Sequence, residues 1–304
     1  MNPVSSSATP RVTIVMPSYN HAGYIEQAIR SVLDQDYPDI ELIVIDDCST
    51  DGSQETIAAL QRELGFRYVQ HEQNSGLNPT LMEGYRTGTG KYTTMLASDD
   101  ALLPGKLRKQ VAYLEQTGKD GVYANGLKLW DDGRTEAIDL EPVARRFREG
   151  TMRDYAYVND VQAPLFQSGL FLRTAILDLF SYRTRYKSDD WIILIRLLED
   201  YDVGFINEPM FLYRQHGSNS FRRYWDMFPA RIDIAATAIP DDFRAESLSN
   251  IMYSQAQYLL VDGRYLMGGK MLLAAFALKP RLSMISQTTG AALRRVFRSK
   301  KKAN

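Results

Sequence analysis

Acids gather in this sequence where β-like runs end. Asp46 and Asp47 close "ELIVIDD", Asp99 and Asp100 follow "YTTML" after Ala97 and Ser98, and Asp189 and Asp190 stand at the head of "WIILIRLLE". Neighbouring like charges repel, so a chain that pairs carboxylates where core strands surface either leaves them in solvent or gives them something positive to hold. Oxygen donors of this kind suit Mg²⁺ or Mn²⁺, and such an ion can bridge the two phosphates of a diphosphate. Other polar groups stand at matching points: Pro17, Tyr19, Asn20 and His21 in "PSYNH" after the first run, Ser49 and Thr50 after the second, and His216 in "YRQH".

Each feature also has an ordinary structural reading. "DDCSTDGS" is a turn in which Asp47, Ser49 or Thr50 caps the next helix and Gly52 adopts a left-handed backbone. It resembles the start of a calcium loop, but Ala58 stands where a bidentate acid is required, which excludes that reading. Asp189 and Asp190 suit a helix N-terminus, where acids gain about 0.3–1 kcal/mol from the dipole. His216 could be a hydrogen-bonded structural histidine. No glycine-rich phosphate loop follows the first strand, so dinucleotide dehydrogenases and P-loop enzymes fit poorly.

The elements that must position these groups are legible in the patterning. "VTIVM", "ELIVID", "FRYVQ" and "YTTML" are strand candidates, and residues near 24–34, 54–64, 78–87 and 105–117 carry helical spacing. That alternation predicts a parallel sheet covered on both faces, with ligands outside the carboxyl ends of the strands. Beyond it, two β-like runs flank Asp131-Asp132-Gly133 as a hairpin, "FQSGLFLR" and "VGFINEPMFLYR" read as short strands around a helix at 189–198, and the chain from about Phe228 reads as helical to its end. Residues 1–10 read as a disordered lead.

Composition limits the functional classes. The 304 residues are 44% hydrophobic and 24% charged, with net charge −1, which describes a globular protein without a global field for nucleic acid. One cysteine, Cys48, excludes an internal disulfide framework and fits a reducing compartment. The N-terminus lacks a signal-peptide pattern, and "MLLAAFAL" falls far short of the roughly 20 residues a membrane span needs. Six Lys or Arg residues fall between Arg294 and Lys302, and two readings stand: a solvated helix end, or a peripheral contact with anionic lipid.

The stretch from Val12 to Ser53 closely resembles the nucleotide-binding start of family 2 glycosyltransferases, the inverting enzymes of the GT-A fold. The likeness runs through "NSGL", "ASDDALLPGKLRKQ", "SDDWIILIRLLE" and "EPMFLYRQHGSNS", covering about Val12 to Ser220. It implies an α/β, Rossmann-like mixed sheet at 11–220, with a nucleotide-binding half (11–117), an acceptor half (118–220) and a helical extension at 221–304. It further implies Pro17, Tyr19 and Asn20 at the base, with Asp47 on the base edge and Asp46 nearby. Ser98 and Asp99 would lie at the ribose or sugar, Asp100 with Asp99 and His216 at Mn²⁺ or Mg²⁺, and Asp190, beside Asp189, would be the catalytic base.

The activity so implied is a metal-assisted direct displacement from a nucleotide-diphosphate sugar. The donor is expected to be a UDP-sugar, with GDP- and dTDP-sugars open, and the acceptor a saccharide or lipid-linked glycan. A cytoplasmic enzyme is expected, with peripheral attachment at the inner face of the cell membrane left open. The pattern departs from the family at Ala97, where many members have an acid, and at Leu81 and Met82, where many have Arg and Asn. Those residues keep open a rival reading, a binding or scaffold protein that kept the fold and lost the chemistry. A nucleotidyltransferase is weakened by the absence of a glycine-rich basic loop.

Overall fold

A computed structural model describes residues 9–159, 165, 167–184, 190–216 and 224–280. Most of the expected lead, Asp189 and the basic stretch 294–302 lie outside them. In chain order the elements are β1 (Val12–Ser18), α1 (Ile25–Leu33), β2 (Ile40–Asp46), α2 (Ser53–Leu64), β3 (Arg67–Gln70), α3 (Leu77–Thr87), β4 (Tyr92–Met95), β5 (Ala101–Leu102), α4 (Lys106–Thr117), β6 (Gly121–Trp130) and β7 (Thr135–Ala137). Then follow α5 (Glu141–Glu149), α6 (Met152–Val158), β8 (Phe171–Arg173), α7 (Asp190–Asp200), β9 (Val203–Gln215), α8 (Tyr224–Thr237), α9 (Asp241–Val261) and α10 (Tyr265–Leu278).

The strands form one mixed sheet in the order β3-β2-β1-β4-β8-β6-β9-β5, with β7 paired to β6. β3, β2, β1 and β4 run parallel. Parallel neighbours need a crossover of helix length, and α1, α2 and α3 supply it. β1 is buried along its whole length, which explains its nearly unbroken apolar sequence: both faces are covered. α1 turns Ile25, Ala28, Ile29 and Val32 inward at the spacing of one helical face.

The sheet changes character beyond β4, which pairs antiparallel with β8. The direction therefore switches beside the strand whose end delivers Ala97–Asp100. The expected run "FQSGLFLR" divides into a 3-10 turn, Gln167–Gly169, and β8. "VGFINEPMFLYR" becomes a single strand of 13 residues, β9, parallel to β6 with register shifts around Asn125. β5 has no counterpart in the sequence reading. It is two residues long, and its pairing with Phe211 and Leu212 of β9 turns the chain immediately after Asp100.

The chain divides into two compact units. One holds the sheet with α1–α5 and α7. The other gathers α6 with α8, α9 and α10, α6 being joined to α9 by the Asn250 amide on the Val158 carbonyl at 2.5 Å and by Tyr157 against Phe243.

A lysine is buried against β8. Lys106, at the start of α4, is fully buried beside the Phe171 ring, and its Nζ donates to Gln110 Oε1 at 2.6 Å. Gln110 in turn donates to the Gly169 carbonyl at 3.0 Å, holding the 3-10 turn against α4. Burial lowers the Lys106 pKa to about 7. The unfolded chain keeps that proton up to the ordinary lysine range, so between the two values the unfolded state binds more protons and stability rises with pH. In urea titrations, the stability of wild type relative to Lys106→Met is expected to rise from about pH 7 toward pH 10; parallel pH profiles would show that the lysine is not held neutral.

Candidate active site

At the end of β2, both acids are committed to backbone and neighbouring side chains. Asp46 is fully buried; it accepts from the Ser49 amide at 2.8 Å, the Ser49 hydroxyl at 2.5 Å and the Gln54 amide at 2.9 Å. Asp47 accepts from the amides of Ser75 and Gly76, each at 2.7 Å, and lies 2.8 Å from His71 Nδ1. Asp47 therefore draws the "NSG" segment between β3 and α3 onto the end of β2. Burial acts to raise its pKa, but these bonds to the ionised form prevail and hold it below the usual carboxylate value.

The turn after β1 docks on the same place. The Asn20 amide donates to Ser49 Oγ at 2.8 Å, the Asn20 side chain accepts from the Thr50 amide at 2.8 Å, and Asp51 accepts from the Ala22 amide at 2.9 Å. Asn20 and Cys48 both adopt positive φ, 56° and 66°, a strained region for residues with side chains, in the two turns that meet here. Tyr19 stands 49% exposed at the rim, whereas Pro17 is buried within β1.

The Ala97–Asp100 turn separates its two acids. Asp100 is buried, and its oxygens accept from the Ser168 hydroxyl at 2.7 Å and the Arg214 amide at 3.0 Å. Burial and the adjacent Asp99 charge push its pKa well up. Asp99 points the other way, with Oδ2 2.9 Å from His216 Nε2. Ser98, expected at the nucleotide, is buried with its hydroxyl 2.7 Å from His21 Nδ1. Among the described residues, His21, Asp99 and His216 are a group able to hold a metal ion, with ligand atoms all within 4.8 Å of one another. Asp100, expected as a metal ligand, accepts one hydrogen bond at each oxygen from the protein, whereas Asp99 faces His216.

This group fits a divalent cation. Two ligand atoms each about 2.1 Å from one ion stand roughly 3 Å apart at a right angle, which matches the 2.9 Å between Asp99 and His216. A metal-ligating imidazole usually fixes its other nitrogen by a hydrogen bond, as His21 does on Ser98. Burial, the largest effect on His21, lowers its pKa and favours the neutral ring a ligand needs.

Arg214 ties the turn to α1. Its guanidinium donates to the Asp99 carbonyl at 2.8 Å and to Gln27, and lies over the Tyr24 ring at 4.7 Å. Tyr24 packs 5.1 Å from the His216 ring. Asp190 is exposed at the first turn of α7. Tyr213 connects it with the turn: burial first, then the charges of Asp100, Asp99 and Asp190, raise the pKa of that phenol, so all three carboxylates act on it electrostatically.

Sequence reasoning noted His21 at a strand end without giving it a role, and left out His71, Ser168 and Arg214 as site residues. His21 had a usable signal, its place directly after a strand end. Ser168 and Arg214 had none, because their roles come from long-range pairing. Leu81 is buried, so its departure from the family pattern fills core space.

The model of glycosyl transferase family 2 matches residues 13–163. A putative teichuronic acid biosynthesis glycosyltransferase, TuaG of Bacillus subtilis, is 37% identical over 106 residues, covering 34% of this chain and 42% of the relative. The chain spans less than half the length of that relative and of the others most like it. Among solved structures, S. aureus TarS 1–349 in complex with UDP-GlcNAc superposes with a TM-score of 0.60 at 17% identity, covering 92% of this chain and 79% of that one. The mannosyltransferase PcManGT from Pyrobaculum calidifontis, in complex with GDP-Man and Mn²⁺, does so at 0.57 and 19%, covering 94% and 81%. The fold is that of the GT-A glycosyltransferases.

The clamp at Asp47 has a pH signature. Burial opposes protonation of His71, but its bonds to Asp47 and to Glu83, the latter at 2.9 Å, prevail and raise its pKa. That stabilisation is complete below the ordinary histidine value of about 6.5 and is lost as pH rises through the raised one. NMR titration of His71 is expected to give a pKa above that of a free imidazole, with Asp47→Asn bringing it down. Exchange of the Ser75 and Gly76 amides should quicken over the same pH range beyond the intrinsic rise, and an unshifted His71 would remove the clamp.

Proposed function

From the match of residues 13–163 to glycosyl transferase family 2, we propose that the protein is an inverting glycosyltransferase. It moves a sugar from a nucleotide-diphosphate sugar to a hydroxyl of a saccharide or lipid-linked glycan. The observation that carries this reading is the meeting of Asp99, His21 and His216 at the end of β4, with Asp190 acting on the same Tyr213 ring as Asp99 and Asp100.

The half at 11–117 takes the nucleotide. Tyr19, exposed at the rim, offers a face for the base to stack on, and the loops held by Asp46, Asp47 and Asn20 shape the surrounding edge. Asp99, His216 and His21 would hold Mn²⁺ or Mg²⁺, which supplies positive charge where the leaving diphosphate gains negative charge. Asp99 also borders the ribose or sugar. Asp100 acts by fixing the turn: with both oxygens bonded to Ser168 and Arg214, it keeps Asp99 directed outward.

The half at 118–220 takes the acceptor. A sugar hydroxyl is a weak nucleophile, so a carboxylate within hydrogen-bond reach must remove its proton as the new bond forms. Asp190 has that role, with Asp189 before it in the chain. The hydroxyl oxygen attacks the anomeric carbon from the face opposite the leaving group, the bond to the nucleotide diphosphate breaks, and configuration inverts without a covalent enzyme intermediate. UDP-sugars are the favoured donors, supported by the UDP-GlcNAc complex of TarS, and the GDP-Man complex of PcManGT keeps GDP-sugars in view. A helix N-terminus lowers carboxylate basicity, so acceptor positioning carries much of the rate. The protein works at the cytoplasmic face of a membrane; among the described residues no helix is long and apolar enough to cross one.

Thermal shift with UDP, with and without Mn²⁺, tests the binding half: ligand at 100 times its Kd adds about 2.7 kcal/mol of stability. The shift should require the ion and should be lost in Asp99→Asn and His216→Ala. Asp190→Asn should keep the shift and lower sugar transfer by about 10²–10⁴-fold. Metal-dependent UDP binding without transfer to any acceptor by wild type would favour the scaffold reading, and full transfer by Asp190→Asn would remove the proposed base.

A further inference from the structure

β6 and β9 extend the sheet to the edge where the candidate site lies. β4 is antiparallel to β8 and β8 to β6, so β6 and its parallel neighbour β9 finish at the same edge as β4. There Lys128, Leu129 and Trp130 stand in register with Tyr213, Arg214 and Gln215. Side chains alternate along a strand, and neighbours in register share a face. Leu129 and Arg214 are buried on the face where Arg214 meets the Tyr24 ring. Lys128, Trp130, Tyr213 and Gln215 are half-buried on the opposite one.

This half-open face is built around an indole. The Trp130 amide donates to the Arg134 carbonyl at 2.9 Å, Gly133 turns the chain with φ 83°, and the Arg134 guanidinium covers one side of the Trp130 ring at 5.0 Å. The turn is fastened toward the site: burial and then the Asp131 charge raise the Tyr24 pKa, and a hydrogen bond between the two adds to the shift. Tyr213, on the same face as Trp130, feels Asp190 as well as Asp100 and Asp99. The hairpin cations are already matched, Lys128 with Glu136 at 2.9 Å and Arg134 with Asp132 at 3.8 Å, so this surface does not select an anion. An aromatic plane with a charge-balanced polar rim suits a neutral sugar ring, which presents C–H bonds on its faces and hydroxyls around its edge.

We propose that Trp130 and Gln215 form an acceptor subsite, in which a neutral pyranose ring stacks on the indole and Gln215 hydrogen-bonds a hydroxyl at its edge. The subsite holds that ring on the face of the sheet where Asp190 acts. It rests on the glycosyltransferase reading in calling this sugar the acceptor; the saccharide site itself stands on the hairpin and its register with β9.

Saturation-transfer NMR tests it, with the full chain in UDP and Mn²⁺ and the methyl pyranosides of glucose, N-acetylglucosamine, galactose and mannose as probes. At least one glycoside should receive saturation at its ring C–H protons. Trp130→Leu should cut that signal at least about fivefold, and Trp130→Phe, which restores an aromatic ring, should recover most of it. Both variants should keep the wild-type circular dichroism melt and the metal-dependent UDP shift. In wild type labelled with 5-fluorotryptophan, whose chain holds three tryptophans, the fluorine resonance missing from Trp130→Phe should move as the glycoside is added. Absence of saturation with every probe, an unmoved Trp130 resonance, or a Trp130→Leu protein that binds like wild type overturns the subsite. Loss of the UDP shift in Trp130→Leu with its melt intact assigns the ring to the donor and overturns it too. Saturation of a glycoside by a wild type that shows no metal-dependent UDP shift supports the saccharide site while removing the donor reading.

Discussion

The clamp between Arg214 and the Asp99–Asp100 turn is the constraint on which the site depends. One residue at the far end of β9 gives its amide to Asp100 and its guanidinium to the carbonyl of Asp99, and lays that guanidinium over Tyr24 behind α1. β4, β9 and the first crossover are joined at one point. A buried carboxylate is costly unless its lone pairs are satisfied, and Asp100 is satisfied by groups 68 and 114 residues away in sequence. The turn can keep this form only when the whole sheet has assembled.

The paired acids thus divide their work. At the end of β4, Asp100 is buried and bonded to Ser168 and Arg214, while Asp99 faces the two histidines. At the end of β2, Asp46 gathers its own turn and Asp47 gathers a loop from the next crossover. The like-charge repulsion evident in the sequence is relieved in two ways, by hydrogen bonds for the inner acid and by histidine contact for the outer one.

The parallel half of the fold was legible because its signals are local. Apolar runs such as "VTIVM", helical spacing and the turn residues between them follow from burial on two faces, and the four strands and four helices lie within a residue or two of where patterning puts them. The antiparallel half was less legible. β5 is too short to leave a pattern, and its existence depends on a partner more than a hundred residues away. The same holds for the site. Which acids stand at strand ends can be read directly, but whether an acid turns toward ligand or into the protein is decided by Ser168, Arg214 and His71, and no spacing rule connects those residues to Asp100 or Asp47. The helical unit was visible as helix, whereas the packing of α6 with it was not, since α6 is separated from its partners by the whole of β8, α7 and β9.

The long strand β9 carries a consequence for how such a protein can vary. Its first residues register with β6 at Gly121, and its last ones follow two irregularities near Asn125 where β9 has more residues than its neighbour. Side chains alternate along a strand, so the parity of that insertion decides whether the Arg214 guanidinium faces the Asp99 carbonyl. Removing one residue between Ile206 and Pro209 would leave the hydrogen-bonded ladder able to re-form while exchanging the Tyr213 and Arg214 side chains between faces. A change of one residue in this bulge would turn the guanidinium away from the turn it fastens, so the length of the bulge is tied to the clamp.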